Sequence, residues 1–264
     1  MNGAVGAWLD PSPLSLPWEA GLVAASFVTS GISAALGIGG GLVMLVLMGL
    51  VLPGAVLIPV HGAVQFGSNA GRAWRARTAA VWAIATPFAL GAAVGAFAGA
   101  RLALELPDAW FRLGLGLFVL FVTHAPMPGI VVSGVARPGR AGLALAGSVT
   151  CFLAMLFGAT GPLVIAVLSR LIGERMRLVA TMAVCMTTQH GLKVVAFGTF
   201  GFAFADWLPL VVAMVATGYA GTIVGLRLLA RLPERGFRVA LRALITLFAL
   251  DLVRRGAVGL WGGA

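Results

Sequence analysis

The chain has 264 residues, of which 60% are hydrophobic and 10% charged, and its formal net charge is +10. A mean hydropathy of +1.04 leaves too little polar surface for a water-soluble domain, so the composition indicates an integral membrane protein in a lipid bilayer. The positive charge lies in short arginine clusters at the ends of apolar runs, where arginines orient membrane proteins, so nucleic acid is not an expected partner.

The first apolar stretch, 18–52, is too long for one ordinary helix and is interrupted at 37–41 by Gly-Ile-Gly-Gly-Gly. Glycine lowers helix stability, and irregular backbone at membrane depth is tolerated only inside protein or beside a polar cavity. The run predicts two helical pieces, 18–36 and 42–52, folded as a re-entrant or tightly bent hairpin. A single bent helix that crosses the membrane once is the alternative.

Three further apolar runs in each half are long enough to cross the bilayer as helices. They lie at 54–71, 78–100 and 110–125 in the first half and at 176–200, 207–226 and 237–253 in the second, which opens with a second broken stretch, 141–168, interrupted at 158–162. The predicted fold class is an all-α integral membrane protein with about eight hydrophobic segments.

One motif occurs twice. Gly-x-x-x-Gly-x-Arg-Leu at 95–102 recurs 126 positions later, at 221–228. The recurrence indicates a tandem duplication, and because each copy has three full crossings, an odd number, the copies are expected to be inverted repeats. The glycines of the motif, Gly95, Gly99, Gly221 and Gly225, are interpreted as sites of close helix packing.

Arginine placement supports one orientation of this threading. With the N-terminus outside, twelve arginines lie in predicted cytoplasmic loops: Arg72, Arg75, Arg77, Arg137, Arg140, Arg170, Arg175, Arg177, Arg227, Arg231, Arg235 and Arg238. Four lie outside: Arg101, Arg112, Arg254 and Arg255. The predicted organisation is an extracytoplasmic segment (1–17), a first membrane repeat (18–126), a cytoplasmic linker (127–140), a second repeat (141–255) and a C-terminal tail (256–264).

Each glycine-rich break is also the start of a helix inside the membrane, where free N–H groups and the positive end of the helix dipole attract anions. At an offset of 120 residues, Gly41 matches Gly161 and Asn69 matches Gln189. A buried amide is costly unless it is paired, so equivalent amides at equivalent depths favour a shared polar site. The predicted substrate-binding residues are Gly39, Gly40, Gly41, Ser68, Asn69, Thr160, Gly161, Thr188, Gln189 and Lys193.

Three ionisable residues lie inside apolar runs. Lys193 is the only lysine in the chain and follows Gln189 by about one helical turn, so it is a candidate for holding an anion. Snorkelling to an interface is its alternative role. His61 and His190 are candidates for a proton or substrate relay, and a buried structural histidine is the alternative for each.

The glycine-rich run at 37–41, its weaker echo at 158–162 and the repeated Gly-x-x-x-Gly-x-Arg-Leu motif resemble the TauE/SafE family, also called the sulfite exporter or TSUP family, over nearly the whole chain. The resemblance implies movement of a sulfur-containing anion, such as sulfite, sulfoacetate or a related organosulfonate, across the bacterial cytoplasmic membrane. It also implies coupling to an ion gradient. H⁺ is the candidate coupling ion. The particular anion, the direction of transport and the oligomeric state stay open.

The expected function is therefore an alternating-access carrier, with a carboxylate carrier, an anion channel and a structural membrane subunit as alternatives. An enzyme is not expected, because the chain has no His-Glu-x-x-His motif and no serine with a paired base. Apart from Asp206 and Asp251, at segment ends, no acid lies in a predicted crossing. No cofactor or metal is expected.

Overall fold

A computed structural model describes residues 14–36, 39–125, 138–228 and 234–261, and this part of the chain is helical without any strand. Its α-helices are α1 (Leu16–Leu36), α2 (Gly40–Gly49), α3 (Gly54–Ala76), α4 (Trp82–Glu105), α5 (Asp108–His124), α6 (Arg140–Phe157), α7 (Gly161–Leu168), α8 (Arg175–Thr199), α9 (Leu208–Leu228) and α10 (Glu234–Trp261), with a 3₁₀ helix at Phe204–Trp207. The predicted all-α membrane class is confirmed. Most of the predicted N-terminal segment and linker, the first two residues of the glycine run and the end of the tail lie outside the described residues.

Hydrophobic length and local turn chemistry set the helix boundaries. Pro53 and Pro107 precede α3 and α5 in extended conformation, and proline favours the start of a helix over its interior. Among the described helices, three are both long and apolar enough by themselves to cross a membrane, at Trp82–Glu105, Arg140–Phe157 and Phe204–Gly225. The last helix is longer than predicted and continues to Trp261.

The first broken stretch forms a hairpin and not a single bent helix. Gly40 at the start of α2 lies beside Thr29 and Ser33 of α1, and Met44, one turn later, also contacts Thr29. Because α2 contacts α1 about two turns before the end of α1, the chain folds back at the break. Gly39, which precedes α2, has a φ of 109°, a left-handed conformation that glycine adopts far more readily than other residues.

The first helix of each half packs along the fourth helix of the other half. Gly91 and Gly95 of α4 lie against Ala144 and Ser148 of α6, so these two helices are parallel. In the same way, α1 and α9 are parallel, because residues 27 and 31 of α1 contact residues 221 and 225 of α9. Each half therefore packs its first helix against the other half in the same way.

Equivalent helices of the two halves run in opposite directions where they touch. Gly62 of α3 contacts Lys193 of α8, and Phe66, one turn further along α3, contacts the earlier residue Gly191. The same antiparallel relation holds between α5 and α10, in which residues 113 and 116 contact residues 256 and 253. These directions support the predicted inversion; that the halves are duplicated copies of one unit stays a prediction.

The arginines of the described helices collect at two opposite ends of the protein. Val81, which follows the arginines of α3, donates its backbone N–H to Thr181 near the arginine-rich start of α8 over 2.9 Å. At the other end, Arg112 donates to the carbonyl of Gly49 over 3.0 Å. The first end carries Arg72, Arg75, Arg77, Arg175 and Arg177, which are predicted to be cytoplasmic, and the second carries Arg112 and Arg255, which are predicted to be outside. Arg137 and Arg231 lie outside the described residues.

The short helices α2 and α7 lie in the interior of the bundle. Leu45, Val46 and Met48 of α2 are fully buried, as is Leu168 at the end of α7. Long helices surround both short ones, so each glycine-rich break is enclosed by protein. This enclosure satisfies the requirement that irregular backbone avoid lipid.

Candidate functional site

Helices α2 and α7 both begin near mid-depth of the helices beside them. Gly41 lies next to Gln65, the middle residue of α3, and Gly161 lies next to Met182 and Met186 of α8. With 10 and 8 residues, α2 and α7 extend for only about 15 and 12 Å, roughly half of a bilayer core. Their N-terminal ends therefore lie inside the protein.

A cavity of about 390 Å³ lies between these two helix starts. It extends from two histidines at its inner end to the end of the protein where α3 finishes and α8 begins. Its lining residues are Ser33, Gly39, Gly41, Leu42, His61, Gln65, Asn69, Arg72, Arg75, Ala76, Ala159, Gly161, Pro162, Ile165, Val179, Met182, Ala183, Met186 and His190.

One wall of the cavity is polar and comes from a single face of α3. His61, Gln65, Asn69 and Arg72 follow one another at three- or four-residue spacing, which places them on the same helical face. Asn69 donates to the backbone carbonyl of Gln65 over 2.7 Å and accepts from Arg72 over 3.0 Å. These bonds hold an amide and a guanidinium group side by side at the wall.

The opposite wall is apolar. It is formed by Pro162 and Ile165 of α7 and by Val179, Met182 and Met186 of α8. Methionine is flexible and polarisable, so such a wall adapts to apolar groups of different shapes. The cavity therefore offers one side to a charged or polar group and the other side to hydrocarbon.

His61 and His190 form the inner end of the cavity. Their ring centroids are 6.1 Å apart, in an edge-on arrangement. Nε2 of His61 lies 3.0 Å from the carbonyl oxygen of Gly41, at the start of α2. The Nδ1 atoms of both rings are buried and have no hydrogen-bond partner among the described residues.

The second break is held by buried polar side chains outside the cavity. Lys193 is fully buried and donates to the carbonyl of Gly158 over 2.5 Å. Gln189 donates to the hydroxyl of Thr150 over 2.8 Å and accepts from the hydroxyl of Thr160 over 3.2 Å. These bonds join α8 to the end of α6 and to the residue that precedes α7.

The structure divides the predicted site residues into groups. Lining the cavity are Gly39, Gly41, Asn69, Gly161, His61 and His190. Buried beside it, in contacts with protein, are Gly40, Thr160, Gln189 and Lys193. Ser68 lines a much smaller polar pocket between α1, α2, α3 and α9, and Thr188 donates to the carbonyl of Val184 in its own helix.

Asn69 and Gln189 were predicted to be equivalent, but at the cavity the residue of α8 that corresponds to Asn69 is the next one along the chain. Asn69 lines the cavity, but the residue of α8 that does so at the matching level is His190. Successive side chains of a helix point in directions about 100° apart around its axis, so Gln189 points away from the cavity that His190 faces. Its amide is instead satisfied by threonine hydroxyls.

Sequence reasoning did not assign Gln65, Met182 or Met186 to the site, and it treated Arg72 and Arg75 only as orienting charges. A usable signal was present, because His61, Gln65 and Asn69 are spaced by four residues and polar side chains are rare inside apolar runs. No comparable signal marks the methionines, since methionine is common in any apolar helix.

Comparison with known proteins adds an independent observation to this geometry. Residues 22–252 match the family described as "Sulfite exporter TauE/SafE". The chain belongs to the TauE/SafE family. It is also 30% identical over 220 residues to the "Probable inner membrane transporter protein TsaS" of Comamonas testosteroni, which covers 82% of this chain and 83% of the relative. No solved structure matches the chain.

Family membership decides the general class of this protein. It is a membrane transporter of the TauE/SafE family in the bacterial inner membrane, and it is not an enzyme. The cavity between the two interrupted helices is large enough for a small solute, and it lies where transporters of this architecture bind their substrates. This cavity is the candidate transport site.

Proposed function

We propose that the protein is a secondary transporter that carries a small sulfur-containing anion across the inner membrane by alternating access. Among sulfite, sulfoacetate and related organosulfonates, an organosulfonate with an apolar part fits the site best. The observation that carries the proposal is the cavity between α2 and α7, with its polar wall on α3 and its apolar wall on α7 and α8.

A negative charge is favoured at the polar wall. The first turn of α2 begins at the cavity, and helix N-termini favour anions. Gln65 and Asn69 add amide groups, and Arg72 adds a cation, whereas no described aspartate or glutamate lines the cavity. Neutral donors with few cations bind an oxyanion and still allow its release.

The apolar wall favours an organic substrate over an inorganic one. Sites for small organic molecules usually have volumes of about 300–1,000 Å³, and this cavity of about 390 Å³ falls in that range. Sulfite would leave much of the volume and the surface of Met182 and Met186 in contact with water. An alkyl chain of a few carbons fills that space and gains about 0.8 kcal/mol per buried methylene group.

The cavity extends to one end of the protein only, which supports a carrier. Its inner end is closed by His61 and His190, and the side chain of Lys193 fills the space beyond Gly62. A channel needs a continuous path, whereas a carrier needs a site that faces one side at a time. An anion channel and a carboxylate carrier are the competing functions.

Ligand binding is tested by thermal unfolding of the purified protein with butane-1-sulfonate, sulfoacetate, sulfite, butanoate and the neutral butane-1-sulfonamide. A ligand at about 100 times its Kd stabilises the folded state by ~2.7 kcal/mol, so binding raises the Tm. Butane-1-sulfonate is expected to give the largest rise and the sulfonamide none. A larger rise with butanoate would replace the proposal by a carboxylate carrier.

Transport is tested in proteoliposomes by uptake of labelled butane-1-sulfonate. Saturable uptake that is accelerated by unlabelled sulfonate on the other side indicates a carrier, and uptake that rises linearly with concentration indicates a channel. Arg72→Gln is expected to weaken binding about tenfold, or ~1.4 kcal/mol, because a cation is lost from the polar wall. Arg101→Gln is the matched control, since Arg101 is exposed at the other end and paired with Glu105.

A further inference from the structure

Each of the two histidines at the inner end of the cavity has a ring nitrogen without a hydrogen-bond partner among the described residues. His61 is fully buried and His190 is 3% exposed, yet both line the cavity. Buried polar atoms usually have a hydrogen-bond partner, but Nδ1 of each ring has none among the described residues. A buried side chain with an unused polar atom in a substrate cavity points to a ligand.

The bond of His61 to Gly41 assigns its tautomer. A carbonyl oxygen only accepts, so Nε2 of His61 must carry a proton to bond to the Gly41 carbonyl. In a neutral ring Nδ1 is then a bare acceptor, which neither attracts nor bonds to a sulfonate oxygen. When a second proton binds at Nδ1, the ring becomes a cation with an N–H group available to an anion.

The groups nearest the histidines are basic. Lys193 of α8 packs against Gly62, the residue after His61, and Arg72 of α3 lines the same cavity as His190. Helices α2 and α7 contribute no titratable side chain, and the buried part of α6 contributes the thiol of Cys151. No described carboxylate lines the cavity, so the protein itself offers nothing that compensates a charged histidine.

We propose that the His61–His190 pair binds a proton together with the transported anion, so that the carrier moves one anion and one proton in the same direction. The proposal rests on the proposed function and adds the coupling ion and its site. In the empty cavity, a charged imidazole beside Lys193 is unfavourable in a medium of low dielectric constant. A bound sulfonate supplies the missing negative charge, so each ligand raises the affinity for the other.

The proton transfer is balanced and breaks no bond of the substrate. A proton from water on the open side binds to Nδ1, and imidazole becomes imidazolium with a charge of +1. The sulfonate has a charge of −1, so the loaded site carries the same net charge as the empty one. After the site opens to the other side, the anion leaves and the proton returns to water from Nδ1.

The first test measures proton uptake by the purified wild-type protein. The protein is placed in a weakly buffered solution near neutral pH with a pH indicator, and butane-1-sulfonate is added. Butane-1-sulfonate has no group that titrates in this range, so any pH change comes from the protein. We expect the uptake of about one proton per bound anion, with anion affinity that increases as the pH falls.

Single substitutions locate the proton. His61→Gln retains an amide N–H that can bond to Gly41 but removes the titrating ring, and His190→Gln tests the second ring. We expect proton uptake to be lost in the variant that removes the proton site, while butane-1-sulfonate still binds with about tenfold lower affinity. His124→Gln is the matched control, because His124 lies outside the cavity, bonded to Thr246, and it should behave as wild type.

The outcomes separate this proposal from the proposed function. Binding of butane-1-sulfonate without proton uptake in the wild-type protein overturns the proton site and leaves the anion carrier standing. Unchanged uptake in both histidine variants also overturns it. Absence of binding by every sulfonate overturns the proposed function and this proposal together.

Discussion

Asn69 and Gln189 show how two similar side chains take different roles at similar depth. Asn69 lies at the cavity, bonded to Gln65 and Arg72 of its own helix. Gln189 is fully buried between two threonines and does not reach the cavity. Removal of each amide should therefore affect a different property.

Gln189→Ala should lower stability, and Asn69→Ala should lower affinity. The first change leaves the buried hydroxyl of Thr160 without an acceptor and removes the donor to Thr150, whose hydroxyl keeps its bond to the carbonyl of Ala146. The loss costs about 1–2 kcal/mol and lowers the Tm. The second removes a donor from the cavity wall and should weaken butane-1-sulfonate binding about tenfold with little change in Tm. The measurements are thermal unfolding and calorimetric titration of both variants. A Tm loss in Asn69→Ala as large as that in Gln189→Ala would contradict this division.

At the scale of elements, the long helices approach each other through small residues. Gly91 and Gly95 of α4 meet the backbone of α6 at Ala144 and Ser148, and Gly221 of α9 meets that of α1 at Phe27. Membrane helices lack a hydrophobic driving force for association, so close backbone contact supplies much of their attraction. The predicted packing role of the glycine motif agrees with these contacts.

Gly95→Ala should destabilise the protein, because the new methyl group overlaps the backbone of α6 at Ser148. Overpacking of this kind costs about 1–3 kcal/mol and lowers the Tm. Gly21→Ala on α1 is the matched control, since its methyl group has no neighbour within 4 Å and alanine favours helix. Equal Tm values for Gly95→Ala and wild type would show that α4 and α6 are less tightly joined than the contacts indicate.

At the scale of the whole molecule, the two halves have matching stripes of side chains on α3 and α8, which run in opposite directions, and all members except Lys193 line the cavity. Along α3 and α8 the stripes have the same spacing and an offset of 121 residues (182 − 61). In the first half the stripe is polar, and in the second it begins with two methionines. The members are His61, Gln65, Asn69 and Arg72 in α3 and Met182, Met186, His190 and Lys193 in α8.

Because α3 and α8 run in opposite directions, the last residues of the two stripes, Arg72 and Lys193, lie at different distances from the open end of the cavity. Arg72 lies towards the end at which the cavity opens, whereas Lys193 is buried beyond the histidines. In an alternating-access cycle, the side that is now closed opens in its turn. Lys193 is then expected to become accessible from the outer face while Asn69 becomes less accessible.

Single cysteines test this one-sided access. Asn69→Cys should react with an impermeant cationic methanethiosulfonate in inverted vesicles, which expose the predicted cytoplasmic face, and butane-1-sulfonate should slow the reaction. Lys193→Cys should react from the outer face in right-side-out vesicles. Wild type is the control, because Cys151 and Cys185 are buried. Equal reaction of Asn69→Cys from both faces would indicate a continuous pore and contradict the carrier.

Local sequence patterns were sufficient to predict most elements. The breaks at 37–41 and 158–162 were visible because glycine density is incompatible with continuous helix, and the described part of the chain bears out both short helices, α2 and α7. The predicted threading places Arg72 at one end and Arg112 and Arg255 at the other, and the helix contacts separate them in the same way. Hydrophobic length and helix-breaking residues act locally, so they can be recognised in a single sequence.

The sequence by itself determined that the chain is an all-α membrane protein with two interrupted helices and a resemblance to TauE/SafE transporters. Only the tertiary structure decided which polar residues share a cavity, because that depends on helix rotation, and a shift of one residue turns a side chain by about 100°. In the folded protein, Gln189 and Lys193 form internal hydrogen bonds, and Gln65 and Met186 lie on opposite walls of the cavity. His61 and His190, which are 129 positions apart in the sequence, lie next to each other. Contacts between residues so far apart follow from packing between helices, which no local pattern encodes.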